Sequence, residues 1–285
     1  MLRAFLLIVV GLAGDPEQSE LFRKWASDLT AASERLGVAR GQIVQVGDER
    51  PATRDGIHKG FAGLAQQATA DDLVMVVLFG HGTFDGRAAK FNLAGPDMTA
   101  AEFAPLVAQL RSKHVVFVNT ASASGPFVEA LAAPGRTIIT ATRSGSEQFA
   151  TLFGGYFVDA LTADAADADK NRRVSVLEAF EHAKSEVVRA YEREGLLATE
   201  HALIDDGGKV AATLAVGNAE GASGLPSDPK LRALHEERRD IERRLESLKL
   251  LKSGMPQDRY LSELEKLATA LARKTREIRD AEGKS

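Results

Sequence analysis

The sequence contains no cysteine. A chain without thiols forms no disulfide, binds no metal through thiolate and has no cysteine nucleophile. It also lacks any apolar run near the roughly 18 residues that a membrane-spanning helix needs. A net charge of −4 gives no reason to expect nucleic acid or an anionic membrane as a partner. We therefore expect no nucleic-acid partner and no membrane span.

Aromatic residues are also scarce, at 6% of a chain that is 44% hydrophobic and 27% charged. This composition is typical of an ordinary globular protein. With 285 residues, the chain can bury a large core and form either one large domain or a domain with an appendage.

Residues 4–10 form an apolar run after the basic start Met1-Leu-Arg3. Such a run resembles a short signal peptide, but it also fits a buried first strand. The strand is favoured because the run ends in β-branched residues and leads into an amphipathic helix capped by Asp15. The chain as written predicts a cytoplasmic protein, and a processed or extended N-terminus would instead predict a periplasmic or secreted one.

Apolar runs alternate with amphipathic segments along the first two thirds of the chain. The predicted strands are residues 4–10, 43–46, 73–79, 115–118, 136–142 and a last strand at 209–216. The predicted helices are residues 16–36, 53–68, 99–110, 126–131, 149–161 and 175–194. This alternation predicts an α/β fold, a three-layer αβα sandwich with a mainly parallel sheet.

The segment from Leu73 to Gly125 carries the candidate chemistry. Two apolar strands each end in a small, polar loop, with His81 on the first loop and Ser122 on the second. A strand–helix–strand crossover places both loops at one edge of a parallel sheet, where open α/β sheets bind ligands. His81 could act as a general base for Ser122, and the Gly82 N–H could contribute to an oxyanion hole. A structural histidine is the alternative.

These loops resemble those of the caspase/legumain superfamily of peptidases, most closely its legumain (asparaginyl endopeptidase) branch. Residues 81–83 read His-Gly-Thr, and residues 121–125 read Ala-Ser-Ala-Ser-Gly where legumains have Ala-Cys-Glu-Ser-Gly. Thr140-Ala141 followed by Glu147 resembles a third family motif. The resemblance covers about residues 4–216. It implies a caspase-like fold, catalytic positions at His81, Gly82 and Ser122, and a cleft that holds a peptide or protein ligand.

The same comparison shows two departures from the family pattern. Ser122 occupies the position of the catalytic cysteine, and Ala123 replaces the acidic residue that helps to shape the asparagine pocket. A serine hydroxyl needs a well-aligned base, itself usually oriented by an acid, and no acid is tied to His81 by spacing. Two hypotheses stay open: a catalytically weak or inactive pseudopeptidase that binds or scaffolds, and a hydrolase that uses a Ser122/His81 dyad.

Three secondary sites have both functional and structural interpretations. Arg143 follows a strand and lines the substrate cleft if the family resemblance holds; a surface arginine is the alternative. Residues 167–178 match a calcium loop except at Arg172, but Ser175 and Glu178 also form a helix-capping box. Residues 205–208 could add carboxylates to the active edge, but an acidic turn is favoured. The remaining histidines show no ligand spacing, and we expect neither a metal nor another cofactor.

Past Pro226 glycine becomes rare and Glu, Lys and Arg become dense. Leucine and isoleucine recur at heptad spacing in two runs separated by a Ser-Gly-Met-Pro break, which predicts an antiparallel helical hairpin. We predict a caspase/legumain-like domain at residues 1–222 and a linker with a coiled-coil hairpin at 223–285. The hairpin either packs on its own domain or mediates association with a protein partner or a second copy.

Overall fold

A computed structural model of the chain describes residues 3–163, 165–171, 173–207, 210–216, 226 and 228–282. Its strands are β1 (Ala4–Val10), β2 (Ile43–Val46), β3 (Leu73–Phe79), β4 (Gly82–Phe84), β5 (Ala89–Phe91), β6 (Met98–Thr99), β7 (His114–Asn119), β8 (Arg136–Thr140) and β9 (Leu203–Asp206). Its helices are α1 (Pro16–Arg35), α2 (Arg54–Gln67), α3 (Ala100–Ala108), α4 (Phe127–Leu131), α5 (Phe153–Ala160), α6 (Val176–Arg193), α7 (Pro229–Leu250) and α8 (Gln257–Glu282).

Six strands form the central sheet in the order β2-β1-β3-β7-β8-β9. All neighbouring pairs are parallel except β8 and β9. Helices cover both faces of this sheet, which confirms the predicted α/β sandwich. The crossover between β3 and β7 is also confirmed, because these strands are direct neighbours and open at the same edge.

The apolar strands are continuous because both faces of the sheet are buried. All seven residues of β3 are buried, and alternate side chains enter two different cores. Met75 and Val77 belong to the core beneath α1, α5 and α6, whereas Val74 and Val76 belong to the core beneath α2, α3 and α4. This two-sided packing holds the ends of β3 and β7 firmly in register.

The structure corrects the sequence prediction in several places. The last strand is β9 rather than residues 209–216: residues 210–216 form turns with a single bridge between Ala215 and Ser175, and Lys209 lies outside the described residues. The first two residues of the expected acidic turn, 205–208, belong to β9 instead. A small antiparallel sheet of β4, β5 and β6 was not predicted.

Helix α5 begins at Phe153, four residues later than predicted. The carboxylate of Glu200 accepts hydrogen bonds from the backbone N–H groups of Leu152 (2.7 Å) and Phe153 (3.2 Å). These are orphan donors at the start of a helix, and the side-chain oxygens of Glu200 satisfy them. A contact between residues nearly 50 positions apart therefore defines this boundary.

Helices α7 and α8 form the expected pair, and the base of that pair packs on the chain's own domain. Leu250 and Leu251 join the large core beneath α1, α5 and α6. Arg243 of α7 is 9% exposed and forms ion pairs with Asp159 of α5 and with Glu246. Within the described residues, no helix is both long and apolar enough to cross a membrane.

Candidate functional site

The loops after β3 and β7 meet where the two strands end. Leu78 is opposite Asn119 in the parallel register, so the loops leave the sheet side by side. Their contact is so close that a Cβ atom on Gly82 would lie 2.2 Å from the carbonyl oxygen of Ser122. The structure thus brings Gly82 and Ser122 together as the sequence predicts, and only glycine fits at position 82.

The hydroxyl of Ser122 is engaged by backbone groups. Ser122 is 2% exposed; its Oγ donates to the Gly82 carbonyl oxygen at 2.9 Å and accepts from the Gly82 N–H at 3.2 Å. The N–H group considered for an oxyanion hole therefore contacts the serine's own oxygen. Both hydrogen-bonding functions of the hydroxyl are occupied within the protein.

The residue after Ser122 has a strained backbone. Ala123 has φ +52°, in the left-handed region that favours glycine, and its N–H donates to the Glu147 carbonyl oxygen at 2.7 Å. Two residues on, a Cβ on Gly125 would lie 2.4 Å from the backbone carbonyl of Arg143. Such strain persists only where surrounding contacts over-determine the backbone, and here the loop after β8 provides them.

His81 is turned towards the start of α1. Its Nε2 atom forms a short hydrogen bond with Gln18 Oε1, and its ring lies edge-on to Phe22 at 5.7 Å between centroids. In the described part of the chain no hydrogen bond joins His81 to Ser122. Burial lowers the pKa of His81, and the nearby Asp15 opposes that shift only in part. Burial therefore favours the neutral form of the imidazole.

The first two acids after His81 in sequence bind groups in the β4–β6 segment instead. Asp85 pairs with Lys90 at 2.8 Å and accepts the backbone N–H groups of Arg87 and Ala88. Asp97 accepts the N–H of Leu93 at 2.9 Å. Neither carboxylate orients the imidazole in the way that a catalytic acid does.

Arg143 follows β8 at the same edge of the sheet, and 63% of its side chain is exposed. Its backbone N–H donates to Glu147 Oε2 at 2.9 Å, and its Nε is 3.8 Å from Glu147 Oε1. His201 shares this carboxylate, through Nδ1 to Oε1 at 2.9 Å and its backbone N–H to Oε2 at 3.1 Å. The family resemblance predicts Arg143 at the cleft. No sequence pattern indicates His201, which lies 54 residues from Glu147.

A buried carboxyl group lies behind this surface. Glu200 is 3% exposed. Besides the hydrogen bonds from the backbone N–H groups of Leu152 and Phe153, it accepts one from the Tyr191 hydroxyl at 3.4 Å. Burial outweighs these hydrogen bonds and raises the pKa of Glu200 from 4.5 to about 8. No sequence pattern indicates this group, because its donors belong to a different loop.

Glu200 gives the stability a distinctive pH dependence. Between about pH 4.5 and pH 8 the folded protein retains a proton on Glu200 that the unfolded chain has released, so stability falls as pH rises through this window. We expect the unfolding free energy of the wild type, measured relative to that of Glu200→Gln, to fall by on the order of 4 kcal/mol as pH rises across this window. Urea unfolding at several pH values measures this difference. The control Glu129→Gln changes an exposed position, and its unfolding free energy should vary with pH in the same way as that of the wild type. If the unfolding free energy of Glu200→Gln also followed that of the wild type, the prediction would be contradicted.

The candidate calcium loop contains a close group of acids. Ligand atoms of Asp167, Asp169 and Glu178 all lie within 4.8 Å of one another. Glu178 also completes the capping box of α6: its Oε2 accepts from the N–H and hydroxyl of Ser175, and its Oε1 accepts from the N–H of Ala168. The capping interpretation is confirmed, and Arg172 lies outside the described residues. These hydrogen bonds explain the position of Glu178 without a metal.

The parallel sheet, its helical layers and the loop pair at its edge define an α/β protein with a caspase-like fold. The profile of the peptidase C13 family matches residues 53–204, more than half of the chain, and the chain belongs to that family. The match includes both loops of the candidate site. A comparison with curated proteins finds no match.

Proposed function

We propose that this chain is a peptidase-fold protein that binds or scaffolds a partner without cleaving it. The observation that carries the proposal is the state of Ser122, whose buried hydroxyl donates to the Gly82 carbonyl oxygen. A nucleophilic serine needs a base that takes its proton and a free path to the substrate. The Ser122 hydroxyl donates to a carbonyl oxygen and not to a base, and the Ser122 side chain is closed to solvent.

The environment of His81 supports the same proposal. Its Nε2 is occupied by Gln18, and no described carboxylate holds the ring by a hydrogen bond. Turning the ring towards Ser122 would break the bond to Gln18, and Ser122 would have to leave Gly82 at the same time. These contacts favour a protein that keeps the peptidase fold for binding over one that keeps the catalytic activity.

We expect a fluorophosphonate probe to leave the purified chain unlabelled, because the probe reacts with serine hydroxyls that a base activates. In-gel fluorescence beside an authentic serine hydrolase measures this. Denaturing the hydrolase abolishes its labelling and serves as the control for specificity. Labelling that disappears in both Ser122→Ala and His81→Ala would establish the alternative, a serine-dependent hydrolase with a Ser122/His81 dyad, and would overturn the proposal.

A further inference from the structure

A cavity of about 700 Å³ lies between the first half of α1 and the C-terminal end of α7. Leu21 of α1 and Leu245 and Leu250 of α7 form its apolar wall. Cavities of roughly 300–1,000 Å³ with apolar walls and a few polar groups commonly bind small molecules. Neither Ser122 nor His81 lines this cavity, so it is a separate candidate site.

The polar part of the wall carries more negative than positive charge. Five carboxylates and three ammonium groups line the cavity. Two of the ammonium groups are already paired with lining carboxylates, Lys249 with Glu17 and Lys24 with Glu246, each at 3.0 Å. The third, that of Lys252, lies 5.4 Å from the centroid of the Tyr260 ring. The lining cations therefore compensate only part of the negative charge.

Two of the lining carboxylates have no ion-pair partner among the described residues. Glu242 pairs with Arg238 at 3.5 Å, so these two are Asp15 and Glu20. Asp15 Oδ1 accepts the Gln18 N–H at 2.8 Å and caps α1, which leaves its second carboxylate oxygen available. Glu20 is exposed. Such carboxylates beside an apolar wall suit a ligand whose cationic group is attached to an apolar body.

Gln18 connects the cavity to His81. The Gln18 side chain lines the cavity, and its Oε1 atom accepts the Gly14 N–H at 3.1 Å. The same oxygen forms the short hydrogen bond with His81 Nε2. A ligand that contacts Gln18 therefore changes the surroundings of the imidazole without entering the loops after β3 and β7. His81 is thus a natural reporter of whether the cavity is occupied.

We propose that this cavity binds a small organic cation in which a primary ammonium group is attached to an apolar body. Asp15 and Glu20 attract the ammonium group, and the apolar body packs against the three leucines of the wall. This inference goes beyond the proposed binding of a partner by the peptidase fold, because no residue of the Ser122 loop takes part. It stands whether or not Ser122 reacts.

Phenylbutylammonium tests the proposal, with phenylbutanol and phenylbutanoate as its neutral and anionic counterparts. Isothermal titration calorimetry on the full chain measures the three affinities. Asp15→Asn, which keeps a good helix cap, and Glu20→Gln should each weaken binding of the ammonium compound about threefold, because exposed ion pairs are weak. Together they should weaken it about tenfold, to the affinity of the alcohol. The wild type should bind the carboxylate compound least tightly.

Two controls locate the bound compound. Asp240→Asn removes an exposed carboxylate of α7 that lines the neighbouring cavity and not this one, and should leave the affinity unchanged. Because Gln18 contacts His81, binding should shift the His81 ring resonances in NMR spectra, whereas those of His58 on α2 should stay unchanged. Equal binding of the three compounds would overturn the inference. So would an affinity that survives loss of both carboxylates, or binding that leaves the His81 resonances in place.

Discussion

Arg243→Ala should lower the free energy of unfolding by about 3 kcal/mol, because it removes a buried cation that pairs with two carboxylates where the hairpin meets the domain. The guanidinium pairs with Asp159 and Glu246 and lies 5.8 Å from the centroid of the Tyr156 ring. The guanidinium fits there because residue 155 is glycine: a Cβ atom added at this position would lie 2.5 Å from Arg243 Nη1. Urea unfolding followed by circular dichroism measures the loss.

Two further variants separate charge from packing and location. Arg243→Met keeps the side-chain volume against Tyr156, so we expect it to be more stable than Arg243→Ala. Arg276→Ala removes an exposed arginine of α8 and should change stability by less than about 0.5 kcal/mol. If Arg243→Ala matched Arg276→Ala, the hairpin would not be anchored by this ion-pair network.

Gly82→Ala should be at least as damaging, with an expected loss of about 3 kcal/mol. The new methyl group would lie 2.2 Å from the carbonyl oxygen of Ser122, and a backbone atom in this buried loop cannot move aside easily. The loops would have to separate, which would also break both hydrogen bonds of the Ser122 hydroxyl. Thermal unfolding measures the loss, and amide exchange at residues 120–125 localises it.

Gly63→Ala in α2 is the matched control. A Cβ there meets nothing nearer than Gln67 Nε2 at 4.0 Å, so alanine should stabilise the helix by about 0.5–1 kcal/mol. Opposite signs for the two glycine variants would confirm that contact, rather than loss of glycine itself, governs the result. A harmless Gly82→Ala would show that the two loops are not locked together.

Much of the fold follows from local pattern. The all-apolar β3 predicts a strand buried on both faces, and the capping residue Asp15 predicts the start of α1; the structure has both. The pairing of Gly82 with Ser122 also follows, because a crossover must bring the ends of β3 and β7 to one edge. The spacing of apolar residues and the lengths of the connections are enough to predict these features without knowledge of distant contacts.

The orientation of the site could not be predicted in the same way. Which atom His81 contacts depends on Gln18, 63 residues earlier in the chain, and the start of α5 depends on Glu200. The antiparallel β9 was missed because it is short and ends in two acidic residues, which read as a turn. Each of these features is decided by a long-range contact that leaves no periodic trace in the sequence.

The contact between the base of the hairpin and the domain also joins α1 to α7, two helices far apart in the sequence. Trp25 of α1 is 1% exposed, and its Nε1 lies 3.5 Å from Glu246 Oε2 of α7, 221 residues later. During synthesis, this contact of α1 therefore cannot form until α7 has emerged. Trp25 is also the chain's single tryptophan, so its intrinsic fluorescence provides an optical signal for the arrival of the hairpin in refolding experiments.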